Sequence, residues 1–318
     1  PESSSQQISI YVDQPFIQET HDAYPVGTGS DENEVRSIAL DKESNAWIAT
    51  AAGVFRMKSG SRQWEPVTTD ENRGPAYSVA RKSDGTILIG TWNGLYSWSQ
   101  NQLQKEENIE PPISVICTSG KEAYALGPNG IWQQSEQGWK LLNYSVARSV
   151  RCAATDGKGS LWVGTDAGIY LCKNGKQELY QSTQELISAY VRAVNFSQEG
   201  LCWVGTMGGI SIRKDEKLQK KITPADGLSN SFVTCIEPAG DGIMWVGTEL
   251  GVVRFGTNDK PSLRFSRRWL LNDHVNDIAF DTSGNAWIAT NGGVSCIRRN
   301  NMTLAEKEQN FYGQLRSE

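Results

Sequence analysis

The sequence predicts an all-β fold, a seven-bladed β-propeller of four-stranded antiparallel blades, on three observations. The phrase Trp162-Val163-Gly164-Thr165 closes on Gly168, and it returns from Trp203 to Gly209 and from Trp245 to Gly251. Looser copies start at Trp47 and Trp287, and two more divergent ones at Leu88 and Tyr124. In all seven the glycine stands six residues after the leading residue, and successive copies lie 41, 36, 38, 41, 42 and 42 residues apart. A period near 40 through most of 318 residues is one supersecondary unit repeated. Second, the segments between the glycines alternate apolar and polar residues and are punctuated by Gly, Asp and Asn, the mark of hairpins. Third, they lack the 3.6-residue periodicity of the helical repeats of similar length and are rich in Gly and β-branched residues.

Taken in order, residues 1–6 are polar, and residues 7–13 (Gln-Ile-Ser-Ile-Tyr-Val-Asp) read as a short strand. The first unit then runs from an alternating strand at 35–40, through a turn at Asp41 to Asn45, to the strand around Trp47 and the tight turn at Gly53. A third strand at 54–57 and a more polar fourth at 63–67 complete it, and each later unit follows the same script. The seventh shows strands near 275–280, 285–290 and 293–298 but no fourth. The strand at 8–13 is therefore expected on the edge of the last blade, closing the ring and hiding an open edge. Thr303 and Glu306 match a capping box ahead of helix formers reaching about Leu315. The expected division is a propeller over 1–300, then 301–318 as a helical tail or truncated linker to a fused domain after residue 318.

Inside the repeat, the Trp is expected to wedge between neighbouring blades, a burial worth roughly 2–3 kcal/mol. The Gly or Ala that follows leaves room for that packing, and the last Gly supplies positive φ at the turn between second and third strands. These residues serve the fold, so function must lie in what varies between copies.

Composition removes several classes. Net charge is −5 with no basic run, so nothing invites a nucleic acid, and no apolar run approaches the roughly 18 residues of a membrane span. The 2 histidines, His21 and His274, lie far apart, with no metal-ligand spacing, phosphate loop or nucleophile elbow; no metal and no cofactor is expected. The cysteines Cys117, Cys152, Cys172, Cys202, Cys235 and Cys296 are spread one per strand and read as free buried thiols, with a bridge between adjacent blades as the alternative in a secreted chain. A start at Pro1 is explained by removal of a signal peptide or a larger parent, or of a tag. Asn143, Asn195 and Asn301 fit the glycosylation sequon.

The unit Val-Arg-x-Ile, Asp-x-x-Gly, Trp-Ile/Val-Gly-Thr-x-x-Gly-Ile resembles the two-component regulator propeller repeat. Asp226-Gly227-Leu228-Ser229-Asn230 before Val233 matches the phrase between blades in that family. The resemblance covers about residues 8–300 and implies a seven-bladed sensor propeller of extracytoplasmic (periplasmic or secreted) location, of the kind often joined to histidine kinases. This chain carries one propeller and no kinase.

A site is expected at one mouth of the central channel, where the loops into the innermost strands meet the turns between second and third strands. The second residue of each innermost strand faces that mouth: Arg36, Tyr77, Ser114, Arg151, Arg192, Thr234 and Asn276. The turns add Trp92, Asn93, Asp166, Glu249 and Asn291; the loops add Tyr144, Arg148, Tyr190, Phe232, Asp273 and His274. Three arginines among aromatic side chains suit an anionic, partly planar ligand, because arginine pairs carboxylates bidentately and aromatic faces stack on sugars. In the competing reading the arginines bridge blades through Asp166, Glu249 and Asp273. Two functions follow. One is a ligand-recognition or sensor propeller for a small anionic or saccharide ligand or a protein partner. The other is a propeller lyase on an acidic saccharide or related molecule, with His274, Glu249 and Tyr77 as its catalytic candidates.

Overall fold

A computed structural model describes residues 12–67, 74–146, 149–181, 184–214, 217–240, 242–256 and 261–315, with the backbone alone at 266–267 and 311–315. Seven four-stranded antiparallel sheets form a ring. The innermost strands of blades 1 to 7 are Val35–Leu40, Ala76–Arg81, Val115–Ser119, Val150–Thr155, Val191–Phe196, Val233–Gly240 and Val275–Phe280, and all seven line one central channel. In blades 1 to 6 the other three strands follow in chain order; blade 1, for example, continues through Ala46–Thr50, Gly53–Met57 and Glu65–Pro66.

Blade 7 takes its fourth strand from the N-terminal part of the chain, but further along than the sequence suggests. The closing strand is Phe16–Tyr24, paired from Phe16↔Met302 to Tyr24↔Val294 along the whole of Gly293–Met302. Of the strand expected at 7–13, residues 7–11 lie outside the described residues, and Val12 and Asp13 are in no strand. The apolar alternation at Ile8, Ile10 and Val12 suggested the wrong stretch because an outermost strand needs little of it. Phe16–Tyr24 is held instead by charge. Glu19 pairs with Arg264, whose Nε donates at 3.0 Å, and with Arg299 at 3.4 Å; Asp22 pairs with Arg298 at 2.7 Å and Arg62 at 3.4 Å. The Arg298 hydrogen bond holds the Asp22 carboxyl below its ordinary range. Beyond Met302 the capping box forms as expected, Glu306 accepting from the Thr303 N–H and Thr303 Oγ1 from the Glu306 N–H. Asp13 accepts the next two free N–H groups, of Leu304 and Ala305, so the N-terminal segment caps the helix Leu304–Leu315.

The repeated tryptophans lie between blades. Trp47 packs with Ala76, Val79 and Ile89 of blade 2, Trp203 with Val233, Ile236 and Met244 of blade 6, and Trp287 with Val35, Ile38 and Ile48 of blade 1. The glycine two residues on allows the approach: a Cβ on Gly164 would stand 2.6 Å from Val191 Cγ1 and 2.4 Å from Cys152 Sγ. The turn glycines all have positive φ, from 86° at Gly251 to 159° at Gly130. The threonine before each turn has a role the sequence reading passed over. Thr165 Oγ1 donates to the Gly168 carbonyl at 2.9 Å and accepts the Ala167 N–H at 3.1 Å, and Thr50, Thr91, Thr206, Thr248 and Thr290 repeat the pattern.

Two outcomes are expected. Trp203, 8% exposed, should lose roughly 3–5 kcal/mol on Trp203→Ala, as other large core truncations do; a variant melting within a degree of the parent would remove the wedge role. Glu19→Gln leaves the buried Arg264 guanidinium without its carboxylate and should cost about 3 kcal/mol in denaturant unfolding. The more exposed Asp22→Asn should cost less, about 1 kcal/mol.

Candidate functional site

The mouth is built by a backbone device. In blades 1, 2, 4, 5, 6 and 7 the register slips by one residue at the second position of the innermost strand, between Val35 and Ser37 for example and between Val191 and Ala193. The extra residue is the expected one: Arg36, Tyr77, Arg151, Arg192, Thr234 or Asn276. A bulge leaves its residue outside the ladder and re-aims the side chain, and all six, with Ser114, line the channel. The channel encloses about 510 Å³.

A second device fixes the rim. The residue before the innermost strand accepts a hydrogen bond from the turn between second and third strands: Trp92 N to Pro75 O at 3.1 Å, Met207 N to Tyr190 O at 3.2 Å, Glu249 N to Phe232 O at 3.2 Å and Asn291 N to His274 O at 3.3 Å. Tyr190, Phe232 and His274 therefore occupy one repeat position in blades 5, 6 and 7, each set by the same bond.

The arginines differ in their company. Arg36 donates from Nε to Glu34 at 2.9 Å and lies 5.4 Å from the Tyr77 ring centroid. Arg151 stands over the Tyr190 ring at 5.5 Å. Among the described residues neither Arg151 nor Arg192 has a carboxylate within ion-pair distance, so bridging through Asp166, Glu249 or Asp273 is not what holds the arginines. Arg148 lies outside the described residues. His274 is partly buried; burial first, and then the Arg192 charge, hold its pKa below the ordinary value, against the pull of Glu249 and Glu34. Asn276 Nδ2 donates to Asn291 Oδ1 at 2.8 Å and to Val35 O at 2.7 Å, which consumes that amide between blades 7 and 1.

Other expected residues sit apart from the channel. The Trp92 ring rests on the loop ahead of blade 2, where a Cβ on Gly74 would stand 2.5 Å from the indole nitrogen. Asn93 Oδ1 accepts from Thr91 and Tyr96, and Asp166 is exposed on its turn.

Deeper in the channel stand two carboxyls that were not among the expected site residues, Glu237 and Asp277. Asp277 Oδ2 accepts the Ile38 N–H at 2.9 Å and the Ser37 hydroxyl at 2.9 Å; Glu237 Oε2 accepts from Asn195 Nδ2 at 2.9 Å. Burial raises Asp277 to about 6 against those bonds, and burial with the neighbouring Asp277 charge raises Glu237 to about 8. The third position of the innermost strand reads as selected for small size, and Ser37, Cys152 and Ala193 fit. Asp277 departs from that rule because it bonds the next blade, and Ser37 and Ser78 do the same, accepting from Val79 N and Ile116 N. All six cysteines are free thiols. Burial pushes Cys117, Cys152, Cys172 and Cys296 up to about 12 and raises Cys202 and Cys235 as well, which makes them poor nucleophiles. No group of three or more potential ligands for a metal ion occurs among the described residues.

The ring and its mouth define a seven-bladed propeller with its candidate site at the channel. Residues 227–249 match the family model described as two component regulator propeller. The extracellular domain assigned to a one component system of B. thetaiotaomicron superposes with a TM-score of 0.71 at 20% identity, over 88% of this chain and 40% of that one. The chain thus spans well under half the length of that relative. A streptogramin B lyase superposes with a TM-score of 0.72 at 14% identity, over 89% of this chain and 98% of that one. A catalytically inactive His-to-Ala variant of virginiamycin B lyase from Staphylococcus aureus, with quinupristin, does so with a TM-score of 0.70 at 11% identity, over 89% and 99%. At these identities the likeness is one of fold. Comparison with curated proteins finds no sequence match. No helix among the described residues is long and apolar enough to cross a membrane.

The two channel carboxyls predict a pH dependence. Their folded pKa values lie above the ordinary 4.5 and 3.8, so their contribution to stability is full below about pH 4. It falls as pH rises, until about 6 for Asp277 and about 8 for Glu237. Glu237→Gln keeps an acceptor for Asn195 and removes the upper part of that fall. Its unfolding free energy near pH 8 should exceed the parent's by on the order of 2–4 kcal/mol, with parity near pH 4. Parallel curves across that range would mean Glu237 is not burdened by burial.

Proposed function

We propose that this propeller is the ligand-recognising part of an extracytoplasmic sensor and that its ligand presents an anionic group to the channel mouth. One observation carries the reading: Arg151 and Arg192 occupy the same bulge on adjacent blades, face the channel, and have no carboxylate partner among the described residues. Two unneutralised guanidinium groups side by side repel each other and are relieved by a bound anion, which each can grip bidentately. Tyr190 and Tyr77 supply ring faces, and Phe232 and His274 complete the rim, so an acidic sugar satisfies both the charge and the flat surfaces. Arg36, already paired with Glu34, supports the site and is not its main anchor. The extracellular setting of the B. thetaiotaomicron domain is in keeping with this placement.

A lyase reading has its own support in His274. An imidazole kept neutral by burial, in the field of Glu249 and Arg192, is in the right form for a general base. Tyr77 is less apt for that reaction, since its ring carries the Arg36 guanidinium. We favour recognition, because one histidine with no second acid–base group bonded to it is a thin catalytic set.

Calorimetric titration with galacturonate separates the readings. Arg151→Ala and Arg192→Ala should each weaken binding by about 1.5–3 kcal/mol and Arg36→Ala by less. His274→Ala should leave affinity within a few-fold. Equal affinity of the parent and both arginine variants would overturn the anion site; eliminative turnover of an acidic saccharide, lost in His274→Ala, would establish the lyase.

A further inference from the structure

On the face opposite the mouth, blades 4 and 5 lack a clasp that blades 1 and 7 share. In blades 1 and 7 the turn between first and second strands is closed by a three-residue clasp. Asp41 Oδ1 accepts the Asn45 N–H at 2.8 Å, and its Oδ2 accepts both Asn45 Nδ2 at 2.8 Å and Trp47 Nε1 at 3.0 Å. Asp281, Asn285 and Trp287 repeat it at 2.9, 2.8 and 3.1 Å. Blade 4 keeps the aspartate and the tryptophan. Asp156 Oδ1 accepts the Lys158 and Ser160 N–H groups at 2.8 and 3.0 Å, and Gly159 has φ 84° where Gly284 has 78° and Ser44 has 60°, but Gly157 adds a second positive φ of 68° that Lys42 and Thr282 do not share. The asparagine, however, is Ser160, and Trp162 makes no hydrogen bond to Asp156. Blade 5 has Ser197 in place of the aspartate, its Oγ accepting the Leu201 N–H at 3.2 Å.

Between blades 4 and 5 a cleft of about 590 Å³ opens. One wall is Trp162 against Phe196, ring centroids 6.3 Å apart. Lys158 and Lys173 stand exposed at its edge, and Arg213, 1% exposed, lies within, stacked 4.4 Å from the Tyr180 ring and donating from Nη1 to Glu185 O at 2.9 Å. Asp156 and the hydroxyls of Ser160 and Ser197 supply acceptors and donors between cations and rings. The volume falls in the range of small-molecule sites, and the chemistry combines cations, an aromatic wall and short polar groups.

We propose that this cleft is a second binding site, independent of the mouth, for an acidic monosaccharide: its carboxylate or phosphate on Lys158, Lys173 and Arg213, its ring against Trp162 and Phe196.

The test is calorimetry on the Arg151→Ala/Arg192→Ala chain, in which the mouth is disabled, with galacturonate and glucose 6-phosphate as separate probes. At least one should bind, and the pair tells carboxylate from phosphate. Ser160→Asn puts the larger side chain found in blades 1 and 7 on a residue that lines the cleft, so it should fill part of it and lower that affinity at least about tenfold. Lys158→Glu, a surface charge reversal, should lower it comparably and serves if Ser160→Asn folds poorly. Absence of binding by both probes at millimolar concentration, or affinity indifferent to the substitutions, overturns the proposal. The mouth reading stands or falls separately, on the binding event that the two arginine substitutions remove.

Discussion

The close approach of neighbouring blades around the channel is the constraint on which the rest of this structure depends. Seven innermost strands can stand side by side only if the second strand of each blade yields space to the first strand of the next. The glycine two residues after each tryptophan provides it, with a Cβ on Gly205 or Gly247 meeting Val233 or Val275 at 2.4–2.6 Å. Ala49 and Ala289 fill the same place in blades 1 and 7. The tryptophan fills the wider gap further out, so the wedge shape of each interface comes from a small residue near the axis and a large one away from it. Along blades 7, 1, 2 and 3 the seam is also bonded, Asp277 to Ile38, Ser37 to Val79 and Ser78 to Ile116. Around the remaining blades Val115, Cys152, Ala193 and Cys235 take that position, and Asn195 bonds blade 5 to Ile236 and Glu237 of blade 6.

That packing also places the site. A strand locked between two neighbours cannot rotate to present a side chain to the axis, so the chain inserts one extra residue at its mouth end, and the bulge turns that residue inward. Because the bulge is a property of the repeat, every blade but the third contributes such a residue, and variation there changes the mouth without disturbing the ring. The channel carboxyls show the cost of the same geometry: among the described residues neither Glu237 nor Asp277 has an ion-pair partner, and burial raises both.

Much of the site was legible because it obeys the repeat. Aligning seven glycines aligns seven second positions, and these line the channel as expected. The partners of the arginines were not legible. Glu34, two residues before Arg36, reaches back to it, whereas Asp166 on its turn engages neither Arg151 nor Arg192; a sequence gives the spacing of charges along the chain but not the direction of a side chain on a turn. Trp92 was placed by its position and displaced by its neighbour, since Gly74 lets the indole settle on the adjoining loop. Glu237 and Asp277 escaped because nothing in a sequence marks a carboxyl as cut off from water.

The sequence by itself determined the number of blades, the hairpins within each and the tryptophan wedges, because these rest on local periodicity and on residue types whose steric reasons hold in every copy. It determined that the ring is closed by the N-terminal part of the chain, since the seventh unit lacks a strand. Which stretch closes it was decided by tertiary structure alone. Phe16–Tyr24 has the polar look of an edge strand, and its hold comes from Arg264, Arg298, Arg299 and Arg62 acting on Glu19 and Asp22. Those pairs join residues as much as 280 positions apart, and only the closed ring brings them within reach.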